Sequence, residues 1–236
     1  MIRKILNTFL PDVTPISILR SIAVIGAVTV FFRAAGYPGC RLSYSPDSGK
    51  AEIRIAGQTP PYKISEQGGW STVAVDGYEV LRTTEPDKPE LPYIVYRVSI
   101  PRGINNLSVG IESGIKILPL KAQIKPVPRP VAFIPGNKPP VPVAGNVYSS
   151  ENQYPAESYS YSITRAGSTY ILEFYWYMFR YKGSDNSLAV YTNPLIIISF
   201  DAPEWAPNPN PKNAVDRSIK KIILNPDESF FGAPLR

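Results

Sequence analysis

After the first forty positions, short apolar runs alternate with turn residues along the whole chain. Ala51-Glu52-Ile53-Arg54-Ile55 switches between apolar and polar at a period of two, the pattern of a half-buried strand. Asp47-Ser48-Gly49 separates it from residues 41–44, which predicts a hairpin over 41–55. Residues 70–75 and 77–81 predict a second hairpin through Asp76-Gly77. A strand over 93–100 is bracketed by Pro92 and Pro101, which cannot donate to a ladder and so mark where pairing starts and stops. Residues 107–111 and 115–118 read as a further strand pair around Glu112-Ser113-Gly114.

Residues 170–181 form the densest aromatic run and are apolar or aromatic on both faces. That predicts a central strand of a sandwich, with a sugar-binding aromatic platform as the other use of the same pattern. Gly183-Ser184-Asp185-Asn186 turns the chain into residues 188–192, and Pro194 precedes an apolar run over 195–200. Residues 201–213 read as a Pro/Asn-rich linker, and 218–224 as a last short helix or strand.

Residues 121–143 carry Pro126, Pro128, Pro130, Pro135, Pro139, Pro140 and Pro142. Proline at that density excludes a helix or a central strand and predicts an extended, polyproline-like path. The stretch is read as a connection laid over the surface, or as a docking strap for a partner. The expected fold is all-β: an antiparallel β-sandwich, jelly-roll-like, with a long proline-rich connection. The composition agrees, with 26 prolines, 15 tyrosines and an apolar fraction of 44% in 236 residues, enough for a core.

The formal charge of +6 is spread thinly, its densest local cluster being Lys220-Lys221. Without a basic stripe, no nucleic-acid partner is expected. Residues 21–32 are an apolar run preceded by Arg3, Lys4 and Arg20 and followed by Ala34-Ala35-Gly36. Residues 1–40 are therefore read as a signal peptide, or as a membrane anchor over 16–35. A lipoprotein signal ending at Cys40 is a third reading, although no aliphatic residue stands three positions before that cysteine. Either of the first two readings puts the remainder, a domain over 41–201 and a C-terminal segment over 202–236, outside the cytoplasm.

The chain has no histidine and one cysteine, Cys40. Ser-His and Cys-His nucleophile pairs are excluded, as are imidazole-based metal sites, zinc clusters and an internal disulfide. Gly68-Gly69 precedes a strand and not a helix, so it is no phosphate loop. No cofactor is expected. Glu79, Glu90 and Glu173 are the carboxylates that a glycoside-hydrolase reading would need, and strand-face acids are the plainer reading of each. Asn106-Leu107-Ser108 matches a glycosylation acceptor.

Lys88-Pro89-Glu90-Leu91-Pro92 is followed by Val98-Ser99-Ile100-Pro101, the proline tract Lys125-Pro126-Val127-Pro128-Arg129-Pro130, Tyr148-Ser149-Ser150 and Tyr154-Pro155. Leu188-Ala189-Val190-Tyr191 and the apolar run after it close the series. That order, from near Trp70 to Phe200, resembles the N-terminal propeptide of gingipain-type cysteine peptidases. A departure falls at 178–183, where that family has prolines around its tyrosine. The resemblance implies a β-sandwich that keeps a peptidase latent, assists its folding and is removed on activation. It implies inhibition by a loop whose basic side chain enters the specificity pocket in a non-productive pose. Arg129, Arg102 and Arg165 are the candidates here, with Arg129 preferred because its flanking prolines reduce the entropy lost on docking.

Residues 219–225 resemble the segment before the family's catalytic domain. The sequence ends at Arg236, so the implied partner is a gingipain-type catalytic domain acting in trans or lost from the gene. The expectation is a non-catalytic, exported protein. The competing class is an exported sandwich that binds glycan or protein at the cell envelope; exposed aromatics clustered on one sheet face would favour it.

Overall fold

The computed structural model describes residues 39–45, 50–76, 80–130, 140–201, 210–211 and 213–229. Residues 1–38 of the proposed leader over 1–40, and the middle of the proline tract, 131–139, lie outside them, and the leader's last two residues, Gly39 and Cys40, begin β1. In chain order the strands are β1 (Gly39–Ser45), β2 (Lys50–Ala56), β3 (Tyr62–Gln67), β4 (Trp70–Val75), β5 (Val80–Arg82) and β6 (Pro92–Ile100). They continue with β7 (Asn105–Pro119), β8 (Gln153–Tyr154), β9 (Tyr159–Ala166), β10 (Thr169–Trp176), β11 (Phe179–Lys182) and β12 (Ser187–Asp201). One short helix, Ala214–Lys220, follows them.

The architecture is an all-β antiparallel sandwich. The larger sheet runs β1-β2-β12-β11-β8, with β7 on the opposite flank of β12; the smaller runs β5-β6-β10-β9. β12 is the axis of the larger sheet. Ile198 pairs with Ile53 of β2 on one side and with Val109 of β7 on the other. Alternate residues of each strand point inward, as a two-residue period requires. Ile53 and Ile55 with Ile196, Ile198 and Phe200 share one core with Ile94, Tyr96, Val98, Leu172, Phe174 and Trp176. Trp176 stacks on Tyr96 with ring centroids 6.4 Å apart, and Phe174 on Tyr159 at 5.1 Å. Fully burying each such side chain is worth roughly 1.5–3 kcal/mol.

The β1–β2 hairpin and the strand over 93–100 form where the pattern puts them. Four details differ. β4 pairs not with 77–81 but with β3, through Gly68-Gly69, whose φ values of +59° and +81° suit a tight hairpin turn. β5 instead pairs with β6; residues 77–79, with Glu79, are outside the described residues.

The aromatic run is two strands and not one. β10 lies in the smaller sheet and β11 in the larger, and the chain crosses between them at Tyr177-Met178. Met178 is buried in the core at that crossing. Residues 107–118 make no turn, since β7 is continuous. Its Glu112-Ser113-Gly114 lies against a bulge where Asn193 and Pro194 of β12 together face Ser113. A Cβ at Gly114 would come within 2.7 Å of the Thr192 hydroxyl, and Pro194 has no N–H to give a ladder. Finally, the helix begins at Ala214, before the stretch read for it.

The C-terminal segment docks on the smaller sheet. Ile219 and Ile223 pack on Ile171, which β10 turns away from the main core. Asn213 caps the helix by accepting from the Asp216 N–H at 2.9 Å. The buried Asp216 carboxylate accepts from Ser168 N–H at 2.9 Å and from its hydroxyl at 2.8 Å. Beyond the short β5, Leu224 N–H donates to Arg97 C=O, and the Asn225 amide bonds both N–H and C=O of Ser99. These contacts cover backbone groups that the edge of β6 would leave unpaired.

Candidate functional site

The proline strap is tied down by backbone pairing on both sides. Ser71 and Ile124 form a parallel bridge, through Ser71 N–H to Gln123 C=O and Lys125 N–H to Ser71 C=O. Pro89 and Pro126 form an antiparallel one, through Glu90 N–H to Lys125 C=O and Val127 N–H to Lys88 C=O. The prolines alternate with residues whose N–H groups face the partner segments, so the tract pairs without losing a needed donor.

At the end of this tied segment stands Arg129. Its side chain is 70% exposed, and its guanidinium reaches the Asp87 carboxylate through Nε at 2.7 Å and Nη2 at 2.5 Å. Asp87 lies in the β5–β6 connection at a φ of +64°. Its C=O accepts from Gly145 N–H and its own N–H donates to Val127 C=O. The hydrogen bond from Arg129 holds the Asp87 carboxyl below the usual aspartate range. Nearby, Tyr154 donates to Glu85, Lys88 pairs with the same carboxylate, and the Lys88 ammonium sits 5.3 Å from the Tyr154 ring centroid.

Arg102 and Arg165 are at the other end of the sandwich. Arg102 is in the turn between β6 and β7, and Arg165 pairs with Tyr170, which pairs with Ile100 at the end of β6. Arg129 is near the start of β6, so the structure does not bring the three arginines together. Both are exposed, and among the described residues neither meets a carboxylate. Asp87 was not singled out by the sequence. The available signal was Pro86-Asp87 between β5 and β6, a turn-forming pair that says nothing of a contact forty-two positions away.

The two described carboxylates of the hydrolase reading each lie beside an arginine of the smaller sheet. Glu90 is 3.7 Å from Arg82, and Glu173 accepts from Arg97 Nε at 2.8 Å. That bond, with a second from the Tyr175 hydroxyl, keeps Glu173 below the usual glutamate range, the opposite of a raised-pKa general acid. No group of three or more metal-ligating side chains occurs among the described residues. Cys40 lies in β1 with its backbone opposite Ile55. None of the described helices is long and apolar enough to cross a membrane.

The outer face of the smaller sheet changes character along its length. Ser99 and Ile171 are buried beneath the C-terminal segment. Towards the start of β6 the face is open, and Tyr93, Tyr175 and Tyr177 stand half-buried on it. Tyr93 meets the Tyr177 ring at 5.5 Å and the Tyr175 ring at 6.1 Å, edge-on in both cases. The hydroxyl of Tyr177 is 3.0 Å from Ser160 Oγ, and that of Tyr175 is 3.2 Å from Ser162 Oγ.

No protein-family model matches this sequence, and no curated protein matches it. Among solved structures, the chain is similar to one from the complex of Porphyromonas gingivalis RgpB pro- and mature domains. The TM-score is 0.56 at 12% identity, over 84% of this chain and 97% of that one. It is also similar to a chain from a structure of gingipain K of Porphyromonas gingivalis, described for its zymogenic latency. There the TM-score is 0.50 at 17% identity, over 74% of this chain and 98% of that one. At these identities the likeness is one of fold: the chain has a gingipain-prodomain-like sandwich.

Proposed function

We propose that this chain is a non-catalytic, prodomain-like partner of a gingipain-type cysteine peptidase, exported and acting on a catalytic domain that it blocks or helps to fold. The observation that carries the reading is the fold likeness over 97% of a chain from a complex of pro- and mature domains. The composition supports it, because a chain without histidine has no imidazole to activate a nucleophile. Export rests on the charge and apolar pattern of residues 1–40.

In this proposal Arg129 is the side chain offered to the specificity pocket. It is strongly exposed and follows a segment fixed by backbone bonds, so little chain entropy is lost when it docks. Asp87 then holds the side chain in the free protein and gives it up when the arginine enters the pocket. Arg102 and Arg165 serve as the competing candidates, at the far end of the sheet.

The test is binding of the full chain to a gingipain-type peptidase with its pocket free, and to the same enzyme with a covalent substrate-like inhibitor in the pocket. Binding to the first and about tenfold or weaker binding to the second supports pocket occupation. Equal binding to both removes the arginine-in-pocket mechanism, and absence of binding to either removes the prodomain role.

A further inference from the structure

The open end of the outer face of the smaller sheet has no part in the role proposed above. Alternation along β10 puts Glu173 and Tyr175 on one face, opposite the buried Leu172, Phe174 and Trp176, and Tyr177, just past the end of the strand, joins them through its hydroxyl beside Ser160 and its ring contact with Tyr93. Strand pairing sets Arg97 and Ser162 beside Glu173, and Ser160 beside Tyr175. Tyr93 stands on the same face of β6, in ring contact with both tyrosines.

Three properties of this patch bear on what it can hold. Its rings are fixed: Tyr175 is bonded to Ser162 and Glu173, and Tyr177 to Ser160, so ordering them on binding costs little. The neighbours on β9 are serines, so no long side chain of that strand overhangs the rings from that edge. Among the described residues the patch is also neutral within a chain of charge +6, because the one arginine and the one carboxylate on it, Arg97 and Glu173, pair at 2.8 Å. Among the described residues of the patch, an anionic polymer or membrane surface would find no unpaired cation. The polar groups on offer are hydroxyls and one carboxylate that is already ionised and aligned.

We infer that Tyr93, Tyr175 and Tyr177, with Ser160, Ser162 and Glu173, form a shallow binding platform for a neutral saccharide. Ring faces of this kind pack against the C–H faces of a pyranose, while the hydroxyls and the Glu173 carboxylate exchange hydrogen bonds with sugar hydroxyls. Charge complementarity selects the ligand class: fixed aromatic faces and hydroxyl groups, with no net charge, match an uncharged polyol. A platform on an envelope-directed sandwich would hold it against a glycan surface. The inference does not depend on a peptidase partner, since none of the three arginines lies within the patch.

The test is native affinity electrophoresis of the full chain through gels carrying dextran, mannan or xyloglucan, with the anionic polymer heparin as a charge control. The expected result is retardation by at least one neutral polymer. Tyr177→Ala should weaken it about fivefold or more, the usual effect of truncating an anchoring aromatic. Tyr175→Phe, which keeps the ring and drops the hydroxyl, should weaken it less. Each variant is compared with the wild type by thermal melting, so loss of fold is separated from loss of ligand. Retardation by none of the neutral polymers overturns the inference, as does retardation that survives both Tyr93→Ala and Tyr177→Ala. Peptidase binding weakened by Tyr177→Ala without any polysaccharide binding overturns it as well, and marks the face as a protein interface.

Discussion

Arg129 and Asp87, forty-two positions apart, are joined by two nitrogens of one guanidinium on a single carboxylate oxygen. The contact closes the strap over the β5–β6 connection just where the proline tract leaves its backbone partners. It is exposed on the arginine side, so it orients a side chain and does little for global stability.

That contact has a pH signature. Arg129 lowers the Asp87 pKa, so the paired carboxylate persists below the usual aspartate range and is lost only as pH falls through its depressed value. Carbon-detected NMR of the side-chain carboxyl should show Asp87 titrating below the ordinary aspartate range. In Arg129→Ala the midpoint should rise, since the partner that depresses it is gone and only the desolvation of the carboxylate remains. An unchanged midpoint would mean that the pair does not form in solution.

Glu173 and Arg97 give a second, more sheltered case. The Glu173 pKa is depressed by the hydrogen bonds from Arg97 and Tyr175, so its stabilising effect is full above the unfolded value near 4.3 and disappears as pH drops through the folded one. Glu173→Gln should cost about 1 kcal/mol at neutral pH by urea unfolding. The difference from the wild type should fade in acid. A difference independent of pH would assign the effect to packing.

Phe174 is fully buried between the two sheets and stacked on Tyr159. Phe174→Ala should cost about 3–5 kcal/mol, enough to unfold a large fraction of a marginal domain. Thermal melting would show it as a large fall in Tm, and a loss under about 1 kcal/mol would contradict the core as described.

Asp216 is buried and ties the helix to the β9–β10 hairpin through Ser168. Asp216→Ala leaves the Ser168 donors without that acceptor and should cost about 1–3 kcal/mol. Hydrogen exchange should quicken at 213–225 and at Ser168 before it does in β10. Uniform quickening across both sheets would show that the segment does not open separately.

Much of the sandwich was legible because a two-residue period is a local property. β2 and β6 announce themselves through Ala51–Ile55 and through the prolines at 92 and 101. Pairing is not local in the same way. Asp76-Gly77 and Gly68-Gly69 both fit a hairpin, and only the packing of β4 against Ile124 and the core selects the second. The run over 170–181 hid its break because Trp176, Met178 and Phe179 are apolar on either side of the crossing, where both sheets demand burial. The bulge at Asn193-Pro194 hid the continuity of β7 in a similar way, since Glu112-Ser113-Gly114 has turn composition and the partner strand decides its conformation.

Of the candidate site, the arginines could be named but not placed. Periodicity carries no information on which loops share an end of the sheet, and Asp87 has no pattern that marks it as the partner of Arg129. Tyr175 and Tyr177 of the outer face were visible within the aromatic run over 170–181. Their separation from the core aromatics needed the parity of β10.

The most direct measurement is a steady-state inhibition titration of a gingipain-type peptidase with the full chain, beside its Arg129→Ala, Arg102→Ala and Arg165→Ala variants. The account predicts saturable inhibition, weakened about tenfold or more by Arg129→Ala and little by the other two changes. Undiminished activity at the highest concentration of chain, with no complex formed, would contradict it.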